Sequence, residues 1–133
     1  MKKHIAIWAF ICFLIGVANA QTSSEQTQKP VNGPEIQFEK LYFDFGELKI
    51  GDVKEVSLSF KNIGNRPLIL DDAISSCDCT TVTWPKEPVM PGKTGTIKAR
   101  YEAKYSGLIS KRITVLSNAE SDRVILQLKG NVL

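Results

Sequence analysis

From Ile36 onward, apolar and polar residues alternate with a period of two. Val56, Leu58 and Phe60 interleave with Ser57, Ser59 and Lys61. Ile97, Ala99 and Tyr101 interleave with Lys98, Arg100 and Glu102, and Val124, Leu126 and Leu128 with Ile125, Gln127 and Lys129. Successive side chains of an extended strand point to opposite faces, so this pattern predicts strands with one buried and one wetter face. No stretch after Gln21 sustains the i, i+3, i+4, i+7 apolar stripe of a packed helix. Turn residues punctuate the runs at Gly51-Asp52, Gly64-Asn65, Pro91-Gly92, Ser106-Gly107 and Ser117-Asn118.

Strands are therefore expected at 36–39, 41–45, 53–62, 67–74, 79–84, 94–103, 108–116 and 123–132, with the first two readable either as separate strands or as a single bent one. Short strands at this spacing predict an all-β, immunoglobulin-like antiparallel sandwich of about seven or eight strands over residues 36–133. The antibody-type Cys…Trp…Cys arrangement is absent, so the core is expected to rest on apolar side chains alone. The candidates are Leu41, Phe43, Phe45, Val56, Leu58, Phe60, Ile69, Trp84, Tyr101, Ile113, Val115, Leu126 and Leu128.

The first residues follow a different pattern. Lys2 and Lys3 precede an apolar run from Ile5 to Ala18, and Ala18-Asn19-Ala20 supplies a small-x-small site. Charge, apolar run and cleavage site in that order predict a signal peptide over residues 1–20, cut between Ala20 and Gln21. The run covers roughly 14 residues, short of the ~20 that span a bilayer, so no permanent membrane anchor is expected. Cys12 lies inside the run rather than behind small residues at the cut, which argues against lipidation. Residues 21–35, rich in amides and hydroxyls with two prolines and one aliphatic residue, are expected to form a flexible spacer.

Removing the leader changes the charge and the available chemistry. Loss of Lys2 and Lys3 lowers the formal charge from +3 to about +1, which leaves no footprint for nucleic acid or an anionic membrane. The one histidine, His4, leaves too, which excludes a histidine-dependent triad or a histidine-based zinc hydrolase site within the mature chain. Asp44, Glu47, Asp71, Asp72 and Asp78 are carboxylates, but no spacing singles out a glycosidase-type pair or a calcium loop. They are expected to be solvated turn residues, as are Lys104 and Tyr105. Trp84 is expected in the core at a strand end.

Several segments together resemble a known family. They are Phe43-Asp44-Phe45-Gly46 followed by Gly51, Phe60 to Leu68 with its Asn62-Ile63-Gly64, and Ser76-Cys77-Asp78-Cys79-Thr80 followed by Trp84-Pro85 and Pro91-Gly92. Tyr101, Gly107, Lys111 to Val115, Ser117-Asn118 and Leu128 to Val132 complete the set. The pattern resembles the uncharacterised bacterial family DUF1573, a domain of unknown function, over roughly residues 41–132. Ser-Cys-x-Cys-Thr is its most specific part. It departs at Asp78, where such families often show glycine. The resemblance implies an exported bacterial domain like the hydin-type and major-sperm-protein-type immunoglobulin-like domains, and it implies no activity.

Cys77-Asp78-Cys79 is the sharpest chemical feature. In an extended strand the two Cα atoms would lie roughly 6.5–6.8 Å apart, the upper limit for a disulfide, so a bond requires a kink at Asp78. The closed loop would hold three residues and contribute about 1.6 kcal/mol by chain entropy, a weak staple. Four readings stay open: a local disulfide or packed thiols shaping the turn, thiol redox exchange, binding of a soft metal such as Cu or Zn through Cys77 and Cys79, and a covalent link to another protein. Asp78 would raise the thiol pKa, and a closed zinc site would need ligands from a second chain. The expectation is an exported, non-enzymatic binding or structural module with no cofactor, whose partner is another envelope protein, in the periplasm or secreted. The alternative is a thiol-redox or soft-metal protein.

Overall fold

A computed structural model describes residues 32–133. The expected signal peptide, its cut between Ala20 and Gln21, and the spacer as far as residue 31 lie outside the described residues. Eight strands follow: β1 (Ile36–Phe38), β2 (Tyr42–Leu48), β3 (Val53–Asn62), β4 (Leu70–Ser75), β5 (Thr80–Thr83), β6 (Thr94–Glu102), β7 (Gly107–Ser117) and β8 (Arg123–Val132). They form two four-stranded sheets, ordered β1-β3-β6-β5 and β2-β8-β7-β4. The described residues contain no helix long and apolar enough to cross a membrane.

Pairing is antiparallel except for β2 and β8, which run parallel, so the second sheet is mixed. The first two strands are not one bent strand: the chain leaves the first sheet after Phe38 and enters the second at Tyr42. β2 keeps Phe43 and Phe45 turned inward, then shifts register between Asp44 and Glu47. Gly46 absorbs that bulge at φ +70°, and its N–H donates to the Asp44 carboxylate at 2.8 Å. The Phe-Asp-Phe-Gly motif is thus a bulged edge strand.

The inner faces meet as the period-two pattern predicts. Val56, Leu58, Phe60, Ile97 and Ala99 of one sheet face Leu70, Ala73, Ile113, Val115, Leu126 and Leu128 of the other. Phe60 is 1 % exposed, and full burial of such a side chain contributes roughly 1.5–3 kcal/mol. A second, smaller cluster fills one end with Leu48, Tyr101, Ala103, Ile109 and Val132, and Phe45 and Cys79 pack against it. Two expected core residues are corrected. Leu41 is 54 % exposed, because it sits where the chain crosses between sheets, and Ile69 is 39 % exposed, because Leu68 and Leu70 on either side take the inward positions. Phe43, Phe45 and Trp84 are half-buried against the core.

The core is not purely apolar. Asn62 is fully buried; its Nδ2 donates to the carbonyls of Arg66 (2.7 Å) and Val89 (2.9 Å), and its Oδ1 accepts from the N–H of Gly64 (2.9 Å) and Glu35 (3.4 Å). One amide therefore ties three segments together. Gly64 makes this possible: a Cβ there would lie 2.6 Å from the Glu35 nitrogen. Gly33 to Glu35, read from composition as the end of the spacer, are instead bonded to the domain, with Gly33 and Asn65 joined by two hydrogen bonds.

Candidate functional site

The chain passes from β4, an edge of one sheet, to β5, an edge of the other, through Ser76-Cys77-Asp78-Cys79. Ser76 fastens the start of this turn to β7: its N–H donates to the Arg112 carbonyl at 2.8 Å, and its Oγ accepts from the Arg112 N–H at 2.9 Å. The Thr80 N–H donates to the Cys77 carbonyl at 3.3 Å, and the Glu102 N–H to the Cys79 carbonyl at 2.9 Å. The backbone is kinked, the Cα atoms of Cys77 and Cys79 are 5.3 Å apart, and the two sulfurs form a disulfide. Among the described residues no non-glycine residue has positive φ, so Asp78 carries the kink without entering the left-handed region.

Both cysteines are half-buried, and their surroundings differ. Cys79 packs against the apolar end cluster. Cys77 Sγ accepts the Cys79 N–H at 3.1 Å. The hydroxyl of Thr80, itself buried, lies 3.9 Å from each sulfur. The pair lines a cavity of about 280 Å³ whose opposite wall is the β6–β7 turn, with Lys104 and Tyr105, and the start of β7, with Leu108 and Lys111. Tyr105 (81 %) and Leu108 (87 %) are the most exposed large apolar side chains among the described residues. Ile50, also exposed, sits in a neighbouring turn held by the Gly51 N–H to the Ala103 carbonyl at 2.8 Å.

Lys104 and Tyr105, expected as a plain solvated turn, are exposed but also face the cysteine pair. The signal for this was pairing rather than composition: register between Thr80 and Tyr101 brings residues 77–79 alongside 102–107. The carboxylates are dispersed. Asp44 and Glu47 lie on β2, Asp71 and Asp72 on β4, and Asp78 in the turn. Among the described residues, no three of His, Cys, Asp or Glu come together as a metal-holding group. Met90, the thioether of the folded part, lines a separate cavity with Trp84. Cys77 and Cys79 thus bring two sulfurs, joined to each other, and no third ligand. Trp84 carries Lys86 Nζ 3.3 Å above its ring.

Comparison with known proteins places these features in a family context. The profile described as "Protein of unknown function (DUF1573)" matches residues 36–132. No curated protein matches the chain. Among solved structures, a protein of unknown function from Porphyromonas gingivalis W83 is 15 % identical with a TM-score of 0.66, covering 81 % of this chain and 51 % of its own. This chain therefore spans about half the length of that protein. The PapD-like domain 7 of human CEP192 is 10 % identical with a TM-score of 0.64, covering 98 % of each chain. The YadV chaperone is 19 % identical with a TM-score of 0.56, covering 74 % of this chain and 52 % of its own. At such identities the likeness concerns fold alone: an immunoglobulin-like, PapD-like sandwich.

Proposed function

We propose that this chain, which belongs to the DUF1573 family of proteins of unknown function, is exported, loses residues 1–20, and acts at the bacterial cell envelope as a non-catalytic binding module for another envelope protein. Export is supported by Lys2 and Lys3, the apolar run and Ala18-Asn19-Ala20. The contact surface is the end of the sandwich that carries the Cys77–Cys79 turn.

A sandwich offers a partner either its sheet edges or its loop ends. The edges here are poorly suited to receive an added strand. β1 and β5 are short, β4 carries Asp71 and Asp72, and β2 is bulged at Gly46. Each device blunts an edge against pairing. The loop end is different, and one observation carries the proposal: Tyr105 and Leu108 stand almost fully in solvent beside a cavity flanked by lysines. Large exposed apolar side chains next to a concavity are the composition of a binding surface.

The test places a photo-crosslinking residue at Tyr105 in the producing bacterium, and a second at Lys98 on the polar outer face of the first sheet. The expected result is a discrete adduct from position 105, a silent position 98, and a mature N-terminus at Gln21. Equal adducts from both positions, or a chain retained uncut in the cytosol, would refute the proposal.

A further inference from the structure

We infer that the Cys77–Cys79 disulfide is an exchangeable two-electron acceptor for a cysteine pair on the bound partner; this rests on the reading that this end of the sandwich is the contact surface. The bond contributes little to holding the turn. Ser76 is clipped twice to Arg112, Thr80 bonds back to Cys77, and Cys79 is fixed by Glu102, all through backbone and hydroxyl groups that survive cleavage of the S–S bond. The disulfide is half-buried and lines a cavity of about 280 Å³, with Cys79 also resting on the apolar end cluster. Its sulfurs can therefore react without unfolding the domain.

The surroundings give the two sulfurs different roles. A thiolate formed at Cys77 keeps the hydrogen bond from the Cys79 N–H at 3.1 Å. It also shares the cavity with Lys104 and Lys111, whose charge outweighs that of Asp78, an exposed residue. Cys79 packs on apolar side chains, which disfavour a thiolate there. Cys77 is then the leaving group and Cys79 the sulfur attacked.

In the exchange, a partner thiolate attacks Cys79 Sγ, the Cys77–Cys79 bond breaks, and Cys77 departs as a thiolate that takes up a proton. The partner's second thiolate next attacks the partner sulfur of the mixed disulfide and releases Cys79, which is protonated in turn. The partner loses two electrons and two protons and gains a disulfide; this chain gains both and becomes a dithiol. The event is stoichiometric, once per chain. Tyr105 and Leu108 on the rim, with Lys104 and Lys111 in the wall, select a cysteine pair flanked by an apolar and an acidic residue.

The test uses the exported chain and a reduced synthetic peptide with two cysteines flanked by leucine and glutamate. The control peptide has serine and lysine in the flanking positions. Peptide oxidation is followed by loss of free thiol, and binding by fluorescence anisotropy of cysteine-free versions. A single-cysteine peptide reports the site of attack by mass spectrometry. The expected results are oxidation at least tenfold faster for the leucine-glutamate peptide, an adduct on Cys79, and loss of that preference in a Tyr105→Ala/Leu108→Ala variant whose unfolding midpoint is unchanged. Preferential binding without exchange, or an adduct on Cys77, overturns the redox proposal and leaves the contact surface standing. Equal, weak binding of both peptides overturns both.

Discussion

Replacing Cys77 and Cys79 together by serine separates a structural staple from a chemical group. The loop closed by this disulfide contains three residues, so its loss returns about 1.6 kcal/mol of chain entropy to the unfolded state. The enclosing turn keeps its hydrogen bonds to Arg112, Glu102 and Thr80, so no larger penalty follows from the folded side. One serine hydroxyl, at position 79, would rest against apolar neighbours and adds a modest cost. The expected total is a loss of about 2 kcal/mol, or roughly 8–16 °C in Tm for a domain of this size. Urea unfolding followed by tryptophan fluorescence and far-ultraviolet circular dichroism measures it, because Trp84 packs on the core. A loss above about 4 kcal/mol, or a chain that no longer folds, would show that the bond holds the sandwich together and would refute the reasoning.

Other substitutions test the framework around the site. Asn62→Ala removes three well-formed side-chain hydrogen bonds from a fully buried position and is expected to cost about 3 kcal/mol, more than loss of the disulfide; a cost below ~1 kcal/mol, equal to that of the exposed Thr96→Ala, would contradict the account. Gly64→Ala drives a Cβ into the backbone of residues 33–35 and should release that segment, seen as faster hydrogen exchange at the amides of Asn65 and Ile63, at a cost of about 1–3 kcal/mol. Burial raises the pKa of Tyr101 above its usual 10.0, so the folded state favours the neutral phenol. That stability is present in full below pH ~10 and is lost as the pH rises through the raised value. Tyr101→Phe should therefore lose less stability than the wild type on going from pH 8 to pH ~11; parallel losses would show that Tyr101 does not contribute.

Much of the fold could be read from side-chain alternation. The bounds of β3 and β8 coincide with those expected, because the alternation over Val56–Lys61 and Leu126–Lys129 fixes the phase even though Val53 and Ile125 are apolar residues on the outer face. The phase failed where apolar residues run together. Pro67-Leu68-Ile69-Leu70 gives no polar position from which to tell inside from outside, and Leu68 pairs with Val89 rather than with β7, so β4 begins at Leu70. The crossing between sheets at Glu39–Leu41 was equally invisible, since both flanking strands alternate in the same manner. For the site, the Cys-x-Cys pair stood out, while its opposite wall did not. Lys104 and Tyr105 are ordinary turn residues and Leu108 an ordinary strand start until the β5–β6 register sets them across from Cys77 and Cys79.

These observations fit together through one division of labour in the chain. Motif residues shared along the sandwich perform structural tasks that the geometry explains in full: Gly46 makes a bulge, Asn62 joins three segments, and Gly64 lets the backbone of residues 33–35 pass. Cys77 and Cys79 do not reduce to such a task. A structural cross-link gains most by joining distant segments, and this one joins neighbours already held by Ser76, Thr80 and Glu102. The bond is also only half-buried: Cys79 leans on the apolar end cluster, while both cysteines line a cavity walled by lysines and rimmed by solvent-exposed apolar side chains. The physical requirements of the fold account for the turn that holds the cysteines; on the exchange proposal, the cysteines themselves answer to a thiol that reaches them from outside.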